Sequence, residues 1–177
     1  MTEHKVEIRA LLPTDERTKF RSGNIELDRF FQRFAGQNQF RHHIGVSYVA
    51  IMDEGVVGYV TLSSGEIAVE DLTKTLKKRL PNYPLPILRM ARLAIDERYQ
   101  GLGLGKQLLK TVFHIALQMR DQSGCVGVVV DAKVEAVEFY KRYGFVELEL
   151  ISGELGDRPQ PVSLFLPIKS IQQAISL

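Results

Sequence analysis

The sequence predicts an α/β fold, a mixed sheet with helices packed on it, folded as a single domain over residues 1–177. Three observations predict it. Strand-like and helix-like segments alternate along the chain with no internal repeat and no low-complexity linker, the pattern of a layered sheet-and-helix domain. The apolar period changes from three and four at Leu104, Leu108, Val112, Ile115 and Met119 to a nearly continuous run at Val126 to Val130, as a helix followed by a doubly covered strand requires. With 177 residues, 45% of them hydrophobic and 25% charged, the chain can bury a core without metals or disulfides.

The elements follow in order. Val6 to Leu11 reads as a short strand. Ser22, Gly23 and Asn24 supply capping residues before a helix whose Leu27, Phe30, Phe31 and Phe34 recur at helical spacing and share one core-facing side. Val46 to Met52 and Val56 to Ser63 flank Asp53-Glu54-Gly55 as a hairpin. Glu70 to Arg79 reads as a helix with acids in its first turn and cations in its last, stopped by Pro81, Pro84 and Pro86. Ile87 to Ile95 is a strand leading into a glycine-rich loop, and the long helix and the buried strand follow. Ala136, Val137, Tyr140 and Tyr143 mark a short helix ended by Gly144 in a left-handed cap. Pro161 to Pro167 is a last strand, and Ile168 to Leu177 a terminal helix.

The glycine-rich loop lies in RYQGLGLGKQLL, Arg98 to Leu109. A nucleotide P-loop would need two glycines separated by four residues before Lys and Ser or Thr, but Gln100 stands at the first glycine position and Gln107 follows Lys106. A dinucleotide fingerprint needs G-x-G-x-x-G, whereas Gly101, Gly103 and Gly105 give G-x-G-x-G with Lys106 in the last place. What remains is Q-x-x-G-x-G at Gln100, Gly103 and Gly105, between a strand and a helix. Glycines let backbone amides turn inward, and a helix start adds free N–H groups and partial positive charge, so the loop suits a phosphate or pyrophosphate. A purely structural turn remains the alternative reading of these residues.

Charge is uneven along the chain. Lys74, Lys77, Lys78, Arg79, Arg89 and Arg92 form a basic stretch without an acid, and so do Arg29, Arg33 and Arg41 beside His42 and His43. Glu147, Glu149, Glu154 and Asp157 form an acidic one. Such polarity suits a polyanionic partner, although solvated surface charge explains it equally well. Cys125 is alone and cannot form an internal disulfide, the segment MTEHKVEIRA is charged where a secretory signal is apolar, and no run is long enough to span a bilayer; the cytoplasm is expected. The four histidines have no ligand spacing, and no metal is expected.

Taken together, FRSGNIELDRFFQRFAGQNQ, VVGYVTLSSGEI, the run LKKRLPNYPLPILRMARLAIDERYQGLGLGKQLL, VVVDAKVEAVEFYKRYGF and the closing SLFLPI resemble the Gcn5-related N-acetyltransferase (GNAT) superfamily. More narrowly, they resemble its tRNA-acetylating toxins from bacterial toxin–antitoxin pairs. One departure is Ser22, where members of that branch often have Cys.

The resemblance implies a central, mostly antiparallel, twisted sheet with helices on both faces, and acetyl-CoA as the acetyl donor. It places the cofactor pyrophosphate on Gln100, Gly101, Leu102, Gly103, Leu104 and Gly105, with charge added by Arg98, Lys106 and Lys133. The pantetheine arm then follows Leu93, Ala94 and Ile95, whose backbone N–H groups polarise the thioester carbonyl. Tyr140 matches the family tyrosine that protonates the departing thiolate; on spacing alone it reads as a core aromatic. The implied acceptor is the α-amino group of an aminoacyl-tRNA, held by Lys77, Lys78, Arg79, Arg89 and Arg92, with Arg29 and Arg33 second. A small DNA-binding antitoxin and a homodimer are implied as partners. Two other functions fit the residues: acetylation of a free amine or protein N-terminus, and a non-catalytic acetyl-CoA-binding module.

Overall fold

The computed structural model describes residues 5–53, 55–68, 72, 74–78, 80–148 and 161–177. Its seven strands are β1 (Glu7–Ala10), β2 (Val46–Met52), β3 (Gly55–Ile67), β4 (Leu85–Ile95), β5 (Gly127–Ala132), β6 (Val146–Glu147) and β7 (Val162–Pro167). They form a mixed, mostly antiparallel sheet in the order β1-β2-β3-β4-β5-β7-β6. Helices α1 (Ile25–Arg29), α2 (Ala35–Phe40), α3 (Lys74–Lys77), α4 (Leu104–Gln122), α5 (Val137–Lys141) and α6 (Ile171–Ile175) flank it. Strands β4 and β5 are neighbours joined by α4, the helical crossover that parallel strands need. No helix among the described residues is long and apolar enough to cross a membrane.

Two compact units divide the chain: Met1–Ser63 with Met90–Val112, and Ser64–Arg89 with Phe113–Leu177. In the first, β1 and β3 pair antiparallel with β2, and the register of β2 against β3 slips between Ala50 and Ile51 in a bulge. Its core gathers Leu11, Phe20, Phe30, Phe31, Ala35, Val49, Tyr59 and Ala94. Tyr59 stacks on Phe31 with centroids 4.3 Å apart, and its hydroxyl donates to the Leu27 carbonyl at 2.7 Å. The ring is buried on the cheap side of its amphipathic character, since its polar tip is bonded.

The first helix starts as its sequence predicts, with the Asn24 side chain accepting from the Leu27 N–H at 3.0 Å. It does not continue regularly. Phe30–Phe34 forms a wide π-helical turn between α1 and α2, and the change of phase leaves Phe34 exposed while Phe30 and Phe31 are buried. The expected four-residue apolar face is therefore Leu27, Phe30 and Phe31 only. Arg17 donates to the Phe31 carbonyl at 3.2 Å inside this turn.

In the second unit β5 and β6 pair antiparallel with β7, and Ile67, Leu72, Leu85, Ile87, Val129 and Phe165 form the core. Gly127 lies where no side chain fits, because a Cβ there would sit 2.3 Å from the Leu166 carbonyl oxygen and 2.5 Å from the Phe165 ring. The helix expected over residues 70–79 is only Lys74–Lys77 among the described residues, closed by the Leu80 N–H on the Lys77 carbonyl; Glu70, Asp71 and Arg79 lie outside them. Of the acidic stretch, Glu147 pairs with Lys141 at 2.9 Å, and 149–160 lie outside the described residues.

Candidate active site

The glycine-rich loop leaves β4 through a single 3-10 turn, Glu97–Tyr99, and enters α4 at Leu104. Gly101 and Gly103 have φ of +82° and +79°, the left-handed region that L side chains avoid, and a Cβ on either would meet nothing within 4 Å. These two glycines are required by backbone conformation and leave open space above them. Gly105 differs: it is the second residue of α4 and not left-handed. The first N–H of the helix to bond backward is that of Gln107, on the Gly103 carbonyl at 3.2 Å, which leaves the donors of Leu104, Gly105 and Lys106 as the open end of the helix. Lys106 stands in that first turn, where the helix dipole opposes a cation unless an anion shares the site.

The strand leading in is held closely. Gly58 of β3 approaches β4 so tightly that a Cβ would lie 2.8 Å from the Ile95 side chain and 3.3 Å from the Ala94 carbonyl oxygen. Ala94 is buried; Leu93 and Ile95 are half-buried.

Asp96 follows, fully buried, and its carboxylate accepts from the Arg98 backbone N–H at 3.1 Å and from the Arg98 guanidinium at 3.0 and 3.2 Å. Burial alone would raise its pKa, but these bonds, with one from the Arg21 N–H, hold it below the usual carboxylate range. A depressed pKa contributes stability above the unfolded value that is lost as pH falls through the folded one. Asp15, held low chiefly by Arg9, acts in the same direction. Thermal melts are expected to show a falling transition temperature below about pH 4, and less fall in Asp96→Asn. Arg98 is thus paired with Asp96 through two of its three guanidinium nitrogens while its side chain stays largely exposed.

In the second unit, α5 presents Tyr140, only 5% exposed, with its ring edge-on to Phe139 and Phe145 at centroid distances of 5.1 and 5.5 Å. Its hydroxyl has no hydrogen-bond partner among the described residues. Burial pushes the phenol above its ordinary pKa, so it carries its proton throughout the physiological range. Gly144, at φ +98°, ends this helix as expected. Lys133 is exposed ahead of a 3-10 turn, Val134–Ala136. Cys125 is buried, its thiol bonded to the Gly127 carbonyl and its pKa raised by burial, an inert environment for a thiol.

The basic candidates separate. Arg29 and Arg33 are exposed and, with Arg21, Ile25, Asp28 and Gln32, line an open groove of about 500 Å³ in the first unit. Arg21 and Gln32 are tied to carbonyls of Thr18 and Phe20, while Arg29 and Arg33 have no acidic partner among the described residues. Arg92, in the same unit, lies over the Phe30 ring at 3.7 Å. In the second unit Arg89 pairs with Asp131 at 3.0 Å, Lys78 is exposed and Lys77 half-buried.

A family model for the acetyltransferase (GNAT) domain matches residues 43–147, well over half of the chain. The chain belongs to the GNAT acetyltransferase family. It is 34% identical over 140 residues to a tRNA-acetylating toxin of Mycobacterium tuberculosis, an alignment that covers 77% of this chain and 82% of that one. The solved structure of AtaT complexed with acetyl-methionyl-tRNAfMet is 26% identical, with a TM-score of 0.82 over 96% of this chain and 98% of its own. That of AtaTR bound with AcCoA is 27% identical, with a TM-score of 0.76 over 95% and 96%.

As a GNAT acetyltransferase the chain uses acetyl-CoA as its donor. An open helix end with left-handed glycines before it supplies the donors a pyrophosphate needs, so the residues present fit that cofactor. Four residues on this loop's supports were not singled out as functional from sequence: Arg21, Ser22, Asp28 and Asp96. Arg21 and Ser22 lie more than 70 residues before the loop they touch, Asp28 acts on it only through Ser22, and only the odd placement of an acid at the end of an apolar strand marked Asp96.

Proposed function

We propose that this chain is a toxin-type N-acetyltransferase that moves the acetyl group of acetyl-CoA to the α-amino group of an aminoacyl-tRNA and so removes that tRNA from translation. The observation that carries the reading is the groove lined by Arg21, Arg29 and Arg33 on the unit that also holds the glycine-rich loop. Two guanidiniums a helical turn apart without acid partners repel each other, a cost that phosphates of a polynucleotide would reverse. The likeness to tRNA-acetylating relatives supports the same acceptor.

The chemistry follows from the residues. Backbone N–H groups of Gly101 to Lys106 bind the pyrophosphate, with Lys106 and Lys133 adding charge, and N–H groups at Leu93 to Ile95 hold the pantetheine arm and polarise the thioester carbonyl. An α-amine whose carboxyl is esterified lacks the adjacent carboxylate that would hold its proton, and it attacks as the free base. The carbon–nitrogen bond forms and the carbon–sulfur bond breaks, Tyr140 gives its proton to the thiolate, and the proton that the new amide nitrogen sheds to water is made good to the phenolate from solvent.

Lys77, Lys78, Arg79, Arg89 and Arg92 belong to the proposed RNA surface with Arg29 and Arg33; the pairing of Arg89 with Asp131 ranks it below the two groove arginines. The same reading takes residues 1–177 as one acetyltransferase domain, working as a homodimer in the cytoplasm and silenced by a small DNA-binding antitoxin.

Incubation with labelled acetyl-CoA and a pool of aminoacyl-tRNAs is the direct test. Label in the aminoacyl-tRNA is the expected result; label only in small amines or in protein would overturn it. The double variant Arg29→Gln, Arg33→Gln is expected to reduce the slope of log affinity against log salt by roughly 2 for charged tRNA, with acetyl-CoA affinity unchanged.

A further inference from the structure

The segment Arg21–Ser22 lies against the run from Asp96 to Gln100 and is joined to it by three hydrogen bonds. The Arg21 N–H donates to the Asp96 carboxylate at 3.3 Å, the Glu97 N–H donates to the Arg21 carbonyl at 2.7 Å, and the Gln100 side-chain amide donates to the Ser22 carbonyl at 2.9 Å. That amide also bonds the Ile95 carbonyl at 3.0 Å, so the Gln100 side chain ties the end of β4 to Ser22 and spends both of its amide hydrogens there. The segment is itself fixed from α1. Asp28, 8% exposed, accepts from the Ser22 N–H at 2.9 Å and from its hydroxyl at 2.6 Å, and the Ser22 hydroxyl accepts from the Asn24 N–H at 3.1 Å. A continuous line of bonds therefore runs from the first helix to the start of the glycine-rich loop.

We infer that Ser22 and Asp28 are positioning residues for cofactor binding: they hold the Ser22 carbonyl where Gln100 must find it, and so set the shape of the phosphate loop. Neither touches the cofactor. Gly101 and Gly103 have little intrinsic preference for the conformation they adopt, so an anchor at Gln100 is what keeps the loop amides turned toward one point. The inference rests on this loop being the acetyl-CoA phosphate site.

The test is calorimetric titration of the full chain with CoA, together with steady-state kinetics at saturating acetyl-CoA. Ser22→Ala is expected to weaken CoA binding about tenfold, the worth of one bond to a charged partner, with kcat within about twofold of wild type. Asp28 also lines the arginine groove, so Asp28→Ala is read by CoA titration alone, where it should weaken binding about tenfold, and Asp28→Asn, which keeps an oxygen facing Ser22, should bind CoA within about twofold of wild type. Lower thermal stability with unchanged CoA affinity in Ser22→Ala and Asp28→Ala would overturn the inference, and if one variant does not fold the other decides. Wild-type protein that fails to bind CoA would instead remove the loop assignment, whatever the variants do.

Discussion

Replacing Tyr140 with Phe is expected to lower kcat by about 10²–10⁴-fold, the range for loss of one positioned acid, while leaving CoA affinity within about twofold. The ring contacts to Phe139 and Phe145 do not involve the hydroxyl, so the variant should melt within a few degrees of wild type. That combination separates a missing proton donor from a damaged core. Because burial raises this phenol above its ordinary pKa, wild-type kcat should show no descending limb from Tyr140 up to about pH 10. Turnover unchanged in the Phe variant would mean that the thiolate takes its proton elsewhere.

Gly127→Val should be strongly damaging to the fold. Its Cβ would press on the Leu166 backbone oxygen, which cannot turn aside as a side chain can; relief requires β5 and β7 to separate at Gly127 and Pro167. The expected cost is about 3 kcal/mol or more, read as a fall of about 6–12 °C in Tm by circular dichroism. Gly55→Ala is the control. A Cβ there meets nothing within 4 Å, and its melt should match wild type. Equal melts for the two variants would show that the strands can repack around the added group.

Much of this molecule is legible from its residues, because local chemistry decides local structure. Asn24 caps, Gly144 terminates, the spacing from Leu104 to Met119 lies on one long helix, and the apolar run after Cys125 is a central strand. The glycine loop is legible for the same reason: its conformation needs particular residue types at particular positions. What sequence reasoning misses is of two kinds. Phe34 is misplaced because a wide turn changes the phase of a helix without any marker residue. Arg21, Ser22 and Asp96 are missed because their partners lie far along the chain, and Asp28 because it acts through Ser22. Basic residues fall between these cases. Their sign is visible in the sequence, but whether a guanidinium faces a groove, as Arg33 does, or an acid, as Arg89 does, is a tertiary fact.

The bonds from Arg21 and Gln100 span 75 and 78 residues, so the glycine-rich loop is short in sequence yet closed by contacts of high separation. Such contacts carry a large loop-closure entropy and form late. A nascent chain that has emerged only as far as β3 can already hold the Ser22 turn against α1, but it has nothing to bind. The glycine-rich loop is therefore fixed only once Asp96 to Gln100 docks on a turn whose own bonds are local.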